Sequence, residues 1–341
     1  MNLLGIEIGG TKLQLVTGTS EGKILDRQQM AVDTSAGGEG VCAQIAAAVG
    51  RLQPRLDWCS VGVGFGGPVD WRTGRVRCSH HVAGWEDFPL ADWLKEKTGL
   101  PVAADNDTNV AAYAEANCGA GVGFNPVFYA NSGTGVGGGC IVNGAIYHGA
   151  SPGEAELGHL RYDRDGSIVE EHCSGVALDR LVAEVVRACP ESILATEASK
   201  LSTHQAHALG PALSAGCTSA IGVLTEAGAA LAFALSHVVH LFHPQAIVLG
   251  GGVAGLGEPW REAVAGPLGR YVAGAYQPAP EVLLSALGEL AVPRGALLLA
   301  AEACGLRQAR EVRPAAVSAP AAGSTGSGTR GLRRPPSPRG S

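Results

Sequence analysis

The run Leu3-Leu-Gly-Ile-Glu-Ile8, Gly9-Gly-Thr-Lys12, Leu13-Gln-Leu-Val-Thr17 decides the fold. Two apolar, β-prone segments flank a tip with two glycines, which predicts a β-hairpin with a glycine turn. Tight glycine turns at strand ends let main-chain N–H groups converge in one concavity, a nest for anions. Thr11 adds a hydroxyl donor and Lys12 a cation, although a lysine on a strand reads equally as a solvated charge. A lone Gly-Gly-Thr turn is weak evidence for phosphate binding. Here the arrangement recurs. Val127–Ala130 leads into Gly133-Thr-Gly-Val-Gly-Gly-Gly139 and out through Cys140–Val142, and a strand at Ala246–Leu249 ends in Gly250-Gly-Gly252. Two hairpin openings about 120 residues apart predict a duplicated α/β fold with one phosphate loop per half. Neither hairpin reads GxxxxGK[ST] or opens a βαβ unit with GxGxxG, which disfavours the P-loop and dinucleotide-binding folds.

Outward from the first hairpin, the pattern predicts a strand over Lys23–Val32 and a helix over Gly40–Leu52, whose apolar face is Val41, Ile45, Ala48, Val49 and Leu52. A short buried strand at Ser60–Phe65 ends at Gly66-Gly-Pro68, a helix covers Leu90–Lys97 and a strand Val102–Ala104. A helix over Asn106–Asn117 follows, with Asp105 as its N-terminal cap. Asn143-Gly144 marks a turn, and later helices cover Ser174–Ala188 and Thr218–Phe242. From Glu311 onward the chain is rich in Pro, Gly, Ser and Ala without apolar periodicity. It is predicted to be disordered, because it buries too little surface to offset the entropy of ordering.

The 341 residues suffice for two lobes, and 46% hydrophobic against 16% charged residues supplies two cores. The net charge of −6 argues against nucleic-acid binding by the folded part. The segment from Glu311 holds five Arg against one Glu, so it carries +4 and the rest of the chain −10. Nine scattered cysteines without a CxxC pair read as reduced thiols. The N-terminus lacks the basic region of a signal peptide. The apolar stretch Gly222–Phe242 is interrupted by Thr225, Glu226, Ser236, His237 and His240, and reads as a buried helix rather than a membrane span. A cytoplasmic protein is expected.

Several blocks together resemble the ROK (repressor, open reading frame, kinase) family. They are Gly5-Ile-Glu-Ile-Gly-Gly-Thr-Lys12, Gly62-Val-Gly-Phe-Gly-Gly-Pro-Val-Asp70, Asn106-Asp-Thr-Asn109, Gly133–Gly139, Glu156-Leu-Gly-His159 and Pro244-Gln-Ala-Ile-Val-Leu-Gly-Gly-Gly252. The similarity spans roughly residues 3 to 305. It implies a two-lobed actin/hexokinase-like (ribonuclease H-like) ATPase fold that closes around a sugar and ATP with Mg²⁺, and a homodimer. The lobes would be residues 1–118, completed by a helix near 292–306, and 119–291. ATP phosphates would meet Gly9, Gly10, Thr11 and Lys12 on one side and Gly133, Thr134, Gly135, Gly137 and Gly138 on the other. The adenosine would lie at Gly250, Gly251 and Gly252. Asp107 matches the family's catalytic base. Locally, a carboxylate in the first turn of a helix is kept ionised by the helix dipole and can take a proton from a hydroxyl attacking phosphorus. Sugar contacts are implied for Gly67, Asn106, Asp107, Glu156, His159 and Glu170.

Three departures stand out. The first block has Glu7 where the family usually has Asp, one methylene longer toward any Mg²⁺–water contact. Glu154 and Ala155 replace small residues, and Glu154 either approaches the sugar or faces solvent. The family's cysteine-rich zinc loop is absent between Leu160 and Glu170; His159, His172 and Cys173 make a poor tetrahedral set, so no structural zinc is expected. His237, His240 and His243 are expected to line a helix flank rather than bind metal. The leading function is ATP-dependent phosphorylation of a hexose, glucose by default, at O6. N-acetylmannosamine or N-acetylglucosamine is the alternative acceptor, and a catalytically inactive sugar sensor the alternative class. A DNA-binding regulator is disfavoured because the first strand begins two residues from the start, without a helix-turn-helix ahead of it.

Overall fold

Residues 1–52, 57–79, 82–151, 153 and 155–307 are described by the computed structural model of the chain. The first half runs β1 (Asn2–Ile8), β2 (Lys12–Gly18), β3 (Ile24–Ala31), α1 (Gly37–Leu52), β4 (Trp58–Phe65), β5 (Val69–Asp70), β6 (Arg75–Val76), α2 (Leu90–Thr98), β7 (Val102–Asn106) and α3 (Asp107–Cys118). The second runs β8 (Val127–Ser132), β9 (Val136–Val142), β10 (Ala145–Ile146), α4 (Glu170–Cys173), α5 (Gly175–Ala188), α6 (Ile193–Ala198), α7 (Leu209–Ser214), α8 (Thr218–Phe242), β11 (Ala246–Gly250), α9 (Glu258–Tyr271), β12 (Glu281–Leu284) and α10 (Ala291–Ala303).

The duplication is visible in the sheets. One has the order β3-β2-β1-β4-β7 and the other β10-β9-β8-β11-β12. Each starts with two antiparallel pairings and continues with two parallel ones. The glycine hairpins β1–β2 and β8–β9 occupy equivalent places. The parallel strands β1, β4 and β11 are buried along nearly their whole length, as strands covered on both faces must be.

Helix α1 forms where the apolar spacing predicts it, with Val41, Ile45, Ala48, Val49 and Leu52 buried beneath the first sheet. Helix α8 is long and apolar enough to cross a membrane by composition, yet it packs against α9, and Leu224, Leu231 and Leu235 lie in the core beside the second sheet. His237, His240 and His243 line the flank of its last turns. His240 accepts a hydrogen bond from the Ala273 amide at 3.0 Å, and His243 ends the helix in the left-handed conformation beside Tyr276.

Helix α10 returns to the first sheet. It approaches so closely that a methyl group built on Gly62 of β4 would sit 1.9 Å from the Ala296 carbonyl oxygen, and Ser60 Oγ donates to Ala300 O at 2.6 Å. The same helix rests on α3, where Gly295 meets the Val110 backbone. One helix therefore fixes α3 against β4.

Candidate active site

In the first half, Asp105, Asn106 and Asp107 stand together at the β7–α3 junction. Asp105, Asn106 and Asp107 are all competent helix caps. The cap is Asn106, whose Oδ1 accepts from the amides of Thr108 (2.8 Å) and Asn109 (3.2 Å), so the helix begins at Asp107. The expectation that Asp105 caps the helix is thereby corrected. Asp105 is buried, receiving bonds from the Asn106 amide (2.8 Å) and Asn109 Nδ2 (3.0 Å) and contacting His148 Nε2 at 2.5 Å. Asn106 also donates through Nδ2 to Gly67 O at 3.2 Å, which joins Gly67 to the junction.

Asp107 stands beside the first glycine hairpin, and its neighbour Thr108 packs on a strand of the second. A methyl group built on Gly66 would stand 3.4 Å from Asp107 Oδ2 and 3.5 Å from the Gly9 Cα. On the other side Thr108, which donates to Asp107 Oδ1 at 3.3 Å, would meet a methyl built on Gly137 at 2.8 Å. Burial pushes the Asp107 carboxyl up to about 6, against hydrogen bonds from Thr108 that lower it.

Glu7 faces the same space from β1. Its carboxylate contacts Lys12 Nζ at 3.5 Å and accepts from Gln14 Nε2, a pair set by the Glu7–Gln14 register of β1 and β2. Burial raises the Glu7 carboxyl to about 7; Asp107 adds to the rise, while Lys12 and Gln14 oppose it. Lys12 is thus a partner of Glu7 rather than a solvated charge.

The hairpin loops divide their glycines by task. Gly9 donates to Lys12 O and Gly133 to Gly135 O, both at 2.9 Å, so these two amides are consumed in closing the turns. The turns so closed carry Gly10-Thr11 and Thr134-Gly135 at their tips. Gly137 and Gly138 lie inside β9, against Thr108 and against Phe128 and Ala155, and serve close packing. Gly250 closes β11, and Gly251 takes a positive φ of 82° against the Ser132 carbonyl. The Gly252 nitrogen lies 4.0 Å from a methyl built on Gly133, so the third glycine run adjoins the second hairpin.

Glu170, at the start of α4, accepts from the Val136 amide at 2.8 Å, and a methyl on Gly135 would lie 2.4 Å from its Oε2. It buttresses the second hairpin. Glu156 and His159 stand at a 3-10 turn over Leu157–His159 that packs on β9, where Gly158 abuts the Val136 carbonyl. Their side chains pair with each other at 3.0 Å and are half exposed. Glu154 lies outside the described residues, as does the segment from Glu311.

The short loop between Leu160 and Glu170 is a hairpin. Arg161 bridges to Ile168, and the Asp163 carboxylate accepts from the amides of Asp165, Gly166 and Ser167 and from Ser167 Oγ. His172 stacks on Tyr162 with ring centroids 4.0 Å apart, and Cys173 is buried with Sγ toward Val169 O. His159, His172 and Cys173 thus take separate partners.

Sequence reasoning missed Gln14, buried between Glu7 and Arg27, and His148, which reaches Asp105 across 43 residues. Neither belongs to a local pattern that would single it out.

Comparison with known proteins adds identity to this geometry. The ROK family matches residues 3–303. A glucokinase of Halalkalibacterium halodurans is 32% identical over 269 residues, 75% of this chain and 81% of that protein. A crystal structure of a ROK family glucokinase from Streptomyces griseus in complex with glucose and AMPPNP superposes with a TM-score of 0.79 at 31% identity, covering 89% of this chain and all of that one. A ROK hexokinase from Thermus thermophilus superposes with a TM-score of 0.71 at 30% identity, over 88% of this chain and 98% of its own.

Proposed function

Since the chain belongs to the ROK family and is a sugar kinase, we propose that it transfers the γ-phosphoryl group of ATP to O6 of a hexose, with glucose as the favoured acceptor and Asp107 as the general base. The observation that carries this reading is the place of Asp107, which shares Gly66 with Gly9 of the first hairpin while its neighbour Thr108 packs on Gly137 of the second. A carboxyl held near 6 is mostly ionised at neutral pH and still basic enough to accept a proton.

In the proposed step the Asp107 carboxylate takes the O6 proton as that oxygen forms its bond to the γ-phosphorus. The bond from phosphorus to the β–γ bridging oxygen breaks, ADP leaves with its charge, and Asp107 ends protonated. Phosphoryl transfer asks the protein mainly for positioning and charge neutralisation. The amides of Gly10, Thr11, Thr134 and Gly135 and the hydroxyls of Thr11 and Thr134 supply these in an acidic protein. The Gly250–Gly252 run, beside the second hairpin, receives the adenosine. Asn106, Gly67, Glu156, His159 and Glu170 hold the sugar.

Glu7 suits Mg²⁺ held through one carboxylate and the nucleotide phosphates. It is a nearly buried acid whose charge is incompletely offset by Lys12, beside the first hairpin. Bound there, the ion supplies neutralisation of phosphate charge. The proposed lobes are residues 1–118 with the 292–306 helix, and 119–291.

The test is ADP release across a panel of hexoses and N-acetylhexosamines, with Asp107→Asn beside the wild type. The variant is expected to lose about 10²–10⁴-fold in kcat while still binding sugar. Sugar binding without turnover on every member would leave a sensor. Turnover retained by Asp107→Asn would remove the base from the mechanism.

A further inference from the structure

One partly buried polar contact in this region plays no part in the step above. His148, just after β10, reaches across to Asp105 at the end of β7, with 2.5 Å between Nε2 and Oδ2, and its side chain is 14% exposed. The other oxygen of Asp105 is held by the Asn106 amide and by Asn109 Nδ2, so the carboxylate has a fixed orientation. The imidazole also stacks on Trp71 from the β5–β6 turn, with centroids 4.2 Å apart and planes 13° from parallel. Asn109 Nδ2 further donates to Gly153 O at 3.3 Å, and Gly153 folds against the His148 backbone with a φ of 91°.

The position of this knot in the chain gives it meaning. Trp71 follows Gly67 by four residues, Asp105 precedes Asp107 by two, and Gly153 precedes Glu156 by three. Three segments that form the sugar side of the proposed site therefore leave one junction, and the imidazole is the piece that touches two of them from the third. The hairpins toward the nucleotide side have their own fastenings, Gly9 to Lys12 and Gly133 to Gly175, which do not pass through His148.

We infer that His148 is a positioning residue for the sugar, setting the Glu156–His159 turn and the Gly67 turn in register with Asn106 and Asp107 through its bond to Asp105 and its stack on Trp71. This rests on the sugar-kinase reading for the identity of the ligand, but not on which residue is the base. A positioning role predicts loss of sugar affinity without loss of nucleotide affinity, because only the sugar-side segments meet here. A contact that merely stabilises the fold would lower the melting temperature and leave both affinities alone.

The experiment compares wild type, His148→Ala, His148→Gln and Trp71→Ala, the last altering a side chain already 37% exposed. For each, sugar Kd is measured by calorimetry without nucleotide, and KM for sugar and for ATP by ADP release. The sugar is the panel member with the lowest wild-type KM. His148→Ala is expected to raise sugar Kd and KM about tenfold or more and to leave the ATP KM within twofold. His148→Gln, which keeps a donor for Asp105, should recover part of the loss. Trp71→Ala should weaken sugar binding severalfold, and adding it to His148→Ala should cost little more, since the two share one contact. Unchanged sugar affinity in His148→Ala and Trp71→Ala, equal losses for sugar and ATP, or fully multiplicative effects would each overturn the inference. If His148→Ala does not fold, His148→Gln and Trp71→Ala decide alone. A wild type that binds sugar without turnover defeats the kinase reading while the Kd comparison still decides this one; a wild type that binds no sugar overturns both.

Discussion

At the scale of single residues the site is a cluster of carboxylates held at a cost. Asp107 and Glu7 both sit where burial disfavours their charged forms, with values raised to about 6 and about 7 from 3.8 and 4.5. The folded chain keeps protons that the unfolded chain gives up, so the stability these groups contribute is fully present below about pH 4 and is lost as pH rises through about 6 and 7. The ligand-free protein should lose on the order of 3 kcal/mol from the pair over that window after solvent screening. Asp107→Asn should flatten this fall and melt above wild type at pH 7.5, as a series of thermal melts would show. Activity runs the other way. The base must be ionised, so kcat/KM should climb through about pH 6 and level off, and a profile falling across that range would contradict the role of Asp107. The nature of the cap also belongs to this scale. Asp105-Asn-Asp107 offers three capping side chains in a row, and local propensity does not choose between them. The choice falls to Asn106 because His148 and Asn109 engage Asp105.

At the scale of elements, the glycines that make the sequence distinctive do two jobs. Some form the tips of the two hairpin loops. Others, Gly62 foremost, let elements approach more closely than any side chain permits. Gly62→Ala places a methyl 1.9 Å from the Ala296 carbonyl oxygen, with the Ala300 nitrogen at 2.7 Å, both backbone atoms that cannot swing aside. It should cost about 1–3 kcal/mol or more of stability by denaturant titration. Because α10 fixes α3, it should also lower kcat; a variant as stable and active as wild type would show that α10 can shift freely. Element type and order were legible from apolar periodicity for α1, α2, α5, α8 and the strands of both hairpins. The division of the Gly133–Gly139 run was not legible: glycine propensity reads as loop throughout, yet β9 begins at Val136 because Gly137–Gly139 pair with β8.

At the scale of the whole molecule, the two sheets share one order, and each half carries one glycine hairpin at the equivalent place. The loop over residues 160–169 is held by the bonds to Asp163, so chelator is expected to abolish turnover by removing Mg²⁺ yet leave the melting temperature within about 1–2 °C. A drop larger than a ΔΔG of 1 kcal/mol produces in a domain this size, with stoichiometric zinc release, would refute that account. What the sequence determined by itself was a duplicated α/β fold with repeated glycine hairpins and the candidacy of Asp107, because strand periodicity, turn chemistry and helix starts are properties of neighbouring residues. Only the tertiary structure decided that Asn106 rather than Asp105 caps α3, that Lys12 and Gln14 attend Glu7, that Glu170 rests on the second hairpin and that His148 reaches Asp105. These depend on which of several competent partners arrives first in space, and the chain's own order does not encode that locally.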